Sequence, residues 1–85
     1  MNRFYILTFC DAVHYGLGVK DVFMFDSKEL AIKKMNEMYQ EKAKELDIEN
    51  PYDDMSYDYE IGDDYAYFSD AYYWDIFNKD IEYEN

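Results

Sequence analysis

Apolar and polar positions along the chain change period several times, and each change marks an element. Phe4 to Phe9 (FYILTF) is apolar and rich in β-formers, the pattern of a strand covered on both faces or central in a sheet. Gly16 and Gly18 then punctuate the chain, where a loop is expected. Val19 to Phe25 (VKDVFMF) reads as a second strand, with Phe23 and Phe25 on one face and Val22 and Met24 on the other. Two strands around a glycine-containing loop predict an antiparallel hairpin.

From Lys28 to Leu46 the period becomes helical. No Gly or Pro interrupts this stretch, and Ile32, Met35, Tyr39, Ala43 and Leu46 recur on one face. Asp26 is placed to cap the helix, with Glu29 as the reciprocal partner of a capping box. Asn50-Pro51 is the expected stop.

Beyond it Tyr57 to Ile61 alternates, with Tyr57, Tyr59 and Ile61 on one face and Asp58 and Glu60 on the other. Gly62-Asp63-Asp64 signals a turn or bulge inside this region. Tyr65 to Phe68 and Tyr72 to Phe77 read as two more strands around Ser69-Asp70. A helix over 71–79 capped by Asp70 is the alternative, although aromatic content favours a strand. The sum predicted is α+β, in the order β-β-α-β-β, with one helix on one face of an antiparallel sheet. Ile6, Phe23, Ile32, Met35, Tyr39, Leu46, Trp74 and Ile76 are the candidate core.

At 85 residues the chain is short, so a single domain over 1–85 is expected. Aromatic side chains make up 21% of it, far too many for a disordered acidic tail. Cys10 is the only cysteine, which excludes an intramolecular disulfide and points to the cytoplasm. The N-terminal residues lack the pattern of a signal peptide, and no run approaches the ~20 apolar residues of a membrane span.

The net charge of −12 changes the picture of what the domain touches. Direct contact with nucleic acid or an anionic membrane would be repulsive, whereas a basic protein would be attracted. The charge is also lopsided. Residues 1–49 hold 9 acidic and 7 basic side chains; residues 50–85 hold 11 acidic and one basic, Lys79. Eight of the 11 tyrosines lie in that second stretch, with Trp74. In a strand, carboxylates two residues apart stand about 6.8 Å apart on one face, comparable with neighbouring phosphates of a nucleic-acid strand. Asp53, Asp54, Asp58, Glu60, Asp63, Asp64, Asp70 and Asp75 are therefore the candidate charges of a partner-binding surface. Tyr57, Tyr65, Tyr67, Tyr72 and Tyr73 are its candidate anchors for arginine. Tyr alternating with Asp is equally what one packed and one wet face look like.

In size, single-domain build, acidity and the Asp/Glu/Tyr-rich region 52–75, the chain resembles small acidic proteins with which phages and mobile elements disarm host defences. These include anti-restriction proteins, anti-CRISPR proteins and inhibitors of uracil-DNA glycosylase, several of them DNA mimics. The resemblance implies occupation of a basic nucleic-acid channel, as in a CRISPR effector or restriction enzyme, within the host cytoplasm. Two other classes fit the same residues: an immunity protein or antitoxin against a basic toxin, and a homodimeric structural or regulatory protein.

Catalysis is the minority expectation. Cys10 in an apolar run reads as a packed thiol, and His14 is the only histidine, which disfavours a zinc site. DYEIGDD at 58–64 fails the EF-hand register, because glycine falls at position 5 and Ser69 at position 12. No cofactor or metal is expected.

Overall fold

A computed structural model describes residues 2–11, 19–53, 58–69 and 71–81 of the chain. The elements are β1 (Asn2–Asp11), β2 (Val19–Phe25), α1 (Lys28–Glu45), β3 (Tyr59–Ile61), β4 (Tyr65–Phe68) and β5 (Tyr72–Ile81). The α+β class holds, with one strand more than the predicted order: Tyr59–Ile61 pairs with Ala66–Phe68 as a strand in its own right, giving β-β-α-β-β-β. The sheet runs β2-β1-β5-β4-β3, and every neighbouring pair is antiparallel. Residues 72–81 form a strand rather than a helix, paired with β1 along its whole length. Among the described residues, no helix is long and apolar enough to cross a membrane.

β1 is an interior strand between β2 and β5, as its apolar run implies, yet α1 covers only one of its faces. Leu7 and Phe9 are buried beneath the helix, while Ile6 points to the opposite face and is half-buried. A bulge interrupts the β1–β2 ladder, where Phe9 pairs with Asp21 and Cys10 with Val19, leaving Lys20 as the extra residue. Its ammonium lies 3.8 Å from the Asp11 carboxylate.

The residue at the helix boundary is Ser27 instead of Asp26, and no side chain caps the helix, so the anticipated capping box is not formed. Its buried line is Ala31, Met35, Tyr39 and Ala43, each four residues from the last. Such rows are inclined to the helix axis, which lays α1 across β1, β2, β4 and β5. Ile32 and Phe23 pack at the margin of the core. Leu46 is 41% exposed, because the helix ends at Glu45, ahead of the expected stop. Asp47 there adopts left-handed backbone, φ 57°. Its N–H reaches the Lys44 carbonyl (3.3 Å) and that of Ile48 the Ala43 carbonyl (2.9 Å), the two bonds of a Schellman motif.

Aromatic rings fill the space between helix and sheet. Tyr39 stacks on Phe68 at 4.4 Å, Trp74 meets both edge-on, and Phe9 lies 4.9 Å from Trp74. Ala31, Ala43 and Ala66 are small enough to let these rings close the gap. The Tyr39 hydroxyl donates to the Pro51 carbonyl at 2.5 Å, and burial pushes its pKa well above the ordinary 10.0. Each aromatic side chain removed from water here contributes about 2–3 kcal/mol.

Candidate functional site

Cross-strand partners share a face, so the register sorts the sheet into a covered and an uncovered side. The uncovered side is crossed by three rows. Met24, Ile6 and Phe77 form the first; Val22, Thr8, Asp75 and Tyr65 the second; Cys10, Tyr73, Tyr67 and Glu60 the third. Among the described residues, no helix packs on this side. The β2 end of the face is aliphatic, with Val22 60% and Met24 57% exposed, and Phe77 on β5 is 49% exposed. Toward β3 it becomes a mixture of tyrosine and carboxylate.

Several sequence candidates meet there. Glu60, Tyr65, Tyr67, Tyr73 and Asp75 stand on the uncovered face of three adjacent strands. Asp63 and Asp64, both exposed, form the two-residue tip of the β3–β4 hairpin, closed by the Gly62 N–H to the Tyr65 carbonyl (2.8 Å). The Asp64 carbonyl accepts from the Ile76 N–H at 2.8 Å, which fastens this tip to β5. Asp58 is exposed just ahead of β3, its carbonyl accepting from the Ser69 N–H. Exposed Asp53 shares a shallow depression of about 140 Å³ with Pro51, Tyr52, Glu60 and Ile61. Tyr52 is pinned to α1, its hydroxyl donating to Asn36 (2.6 Å) and accepting from Gln40 (2.7 Å).

Tyr72 is placed elsewhere. It lies on the covered side, half-buried, parallel to Phe9 and with the Lys42 ammonium 4.3 Å from its ring centre. Alternation along β5 puts Tyr72, Trp74 and Ile76 inward and Tyr73, Asp75 and Phe77 outward. Asp54, Tyr57 and Asp70 lie outside the described residues.

Two groups on this face are electrostatically perturbed. Burial, and then the nearby Asp64 carboxylate, pushes the Asp75 carboxyl above its ordinary 3.8. The Tyr65 phenol is raised above 10.0 foremost by its hydrogen bond to Glu60. Gly62 makes that pose available, since the Tyr65 ring lies where a side chain at position 62 would begin.

Two of the helix lysines are engaged near their own helix. Lys42 pairs with Glu45 at 2.7 Å and Lys34 lies over the Phe23 ring. Among the described residues, no group of three or more His, Cys, Asp or Glu could hold a metal ion. Cys10 is half-buried, paired across the sheet with Val19 on one side and Tyr73 on the other. Val22, Met24 and Phe77 were not singled out as surface residues by the sequence. The signal was the apolar character of both alternating sets in VKDVFMF. Comparisons with protein-family models, with curated proteins and with solved structures found no match for this chain.

Proposed function

We propose that the chain is an acidic inhibitor that binds the basic nucleic-acid-binding surface of a partner protein through the β3–β4–β5 side of its sheet. One observation carries this reading: exposed Asp58, Asp63 and Asp64 flank the β3–β4 hairpin at the end of the sheet where Glu60, Asp75 and several tyrosines face outward, and seven of the chain's eight basic residues precede position 50. Adjacent strands stand about 4.8 Å apart and Asp75 lies one row along from Glu60, so the two are about 12 Å apart across the face, within the reach of a groove that tracks phosphates with its cations. Guanidinium groups of the partner pair with the carboxylates and stack on Tyr67 and Tyr73. The depression between Asp53 and Glu60 has room for one such head group. An RNA-guided nuclease or restriction enzyme in a host cytoplasm is the kind of partner that fits, in keeping with the resemblance to phage-borne inhibitors.

Capture from a bacterial lysate at low salt, followed by elution at high salt and mass spectrometry, tests the assignment. The expected eluate is a basic nucleic-acid-binding protein whose retention is lost with Asp63→Lys plus Asp64→Lys, the fold remaining intact. Equal retention by the charge-reversed chain would remove the electrostatic basis of the proposal.

A further inference from the structure

The two edges of the sheet are unlike. β3 has three residues, carries Glu60 and runs into Gly62 and two aspartates, features that keep an edge from recruiting another strand. β2 has seven residues without proline, one acid and one base, and it exposes Val19, Val22 and Met24. Its outer row of main-chain donors and acceptors is about 23 Å long at the usual rise. The Lys20 bulge sits at one end and leaves the paired run from Asp21 to Phe25 regular. Among the described residues, no strand pairs with that outer side.

We propose that β2 is a self-association edge, on which β2 of a second copy pairs antiparallel about a twofold axis to join two sheets into one of ten strands. Charge selects this occupant. A basic protein is drawn to the opposite end of the sheet, where Asp58, Glu60, Asp63 and Asp64 are exposed and neither β3 nor β4 carries a basic residue, whereas β2 itself sums to zero. Within one copy, four strand spacings put β3 about 19 Å from β2. After pairing, nine spacings separate the two β3 edges by about 43 Å, some five Debye lengths at physiological salt. The carboxylates of the β3–β4 hairpin therefore do little to oppose the contact. Val22 and Met24 flank the new ladder and extend the apolar row through Ile6 to Phe77. Because the contact is isologous and the β3 edge is blocked, the assembly closes at two.

Sedimentation velocity from about 5 to about 500 μM covers the affinities of so small an interface. The expected result is a concentration-dependent doubling of mass that higher salt preserves or strengthens, opposite in sign to the binding of a basic partner. That opposition separates failure of this inference from failure of the proposed function. Val22→Lys plus Met24→Lys should keep the chain monomeric throughout. In the wild type, amide hydrogen exchange along β2 should slow with concentration while that along β3 does not, a readout that does not depend on the variant folding. A wild type that stays monomeric, a lysine variant that dimerises equally well, species larger than two, or β2 amides indifferent to concentration would each overturn it.

Discussion

Asp75 sits on the uncovered face between Thr8 and Tyr65, and the fold holds its carboxyl above the ordinary 3.8. Ionising it therefore works against folding: its contribution is intact below pH 3.8 and is lost as pH rises through the raised value. Asp75→Asn is expected to raise the thermal midpoint at pH 7 and to leave it nearly unchanged at pH 3, as followed by circular dichroism. The same substitution should weaken partner binding, a trade of stability against function. Gly62→Ala acts on a neighbour, since the new methyl displaces the Tyr65 ring and breaks its bond to Glu60. Stability should change little, because an exposed ring can swing aside, while the Tyr65 phenol returns toward pKa 10, measurable by NMR with ring-labelled tyrosine. Which tyrosines point outward was half legible in the sequence. Asp75 and Trp74 are adjacent and must face opposite ways, which assigns Tyr73 to the wet side and Tyr72 to the core. The hydrogen bond of Tyr65 to Glu60 depends on how a ring lies over Gly62, and alternation alone does not encode it.

At the scale of elements, α1 was readable almost to the residue, because an uninterrupted 3.6-residue period has few competitors. Its ends were less so. The expected capping box needs Asp26 outside a helix that starts at Asp26's successor, whereas Ser27 is the boundary residue and caps only through its backbone. The C-terminus is set by a left-handed aspartate, a conformation that local patterning does not announce, ahead of the more visible Asn50-Pro51. Asp47→Gly should stabilise the chain by about 1 kcal/mol, since glycine is at ease there and a carboxylate at a helix C-terminus opposes the macrodipole. Denaturant titration measures it, with an unchanged slope as the sign that only stability has moved. β3 is short enough to hide inside an alternating stretch, and its pairing with β4 emerges only once the Gly62-Asp63-Asp64 turn is in place.

For the whole molecule, the sequence made the charge asymmetry plain but not the sheet order that turns it into a spatial one. Placing β5 beside β1 brings the last strand into the middle, so that the weakly charged β1–β2 hairpin and the acidic β3–β4 hairpin occupy opposite ends of the sheet. Salt should consequently act on the free chain and on the proposed complex with a basic partner in opposite senses. Raising sodium chloride from about 0.02 to about 0.5 M shortens the Debye length severalfold and relieves self-repulsion, so the thermal midpoint should rise by about 4 °C, the equivalent of roughly 1 kcal/mol for a domain this small. Affinity for a basic partner should fall over the same range.

The lone tryptophan has a practical corollary. Trp74 is 1% exposed on the side of β5 that faces α1, back to back with the residues assigned to binding. Its emission should be blue-shifted in the native protein, shift to the red on denaturation, and change little when a partner docks on the far side of the strand. One cuvette can thus tell a substitution that ruins recognition from one that simply melts the scaffold.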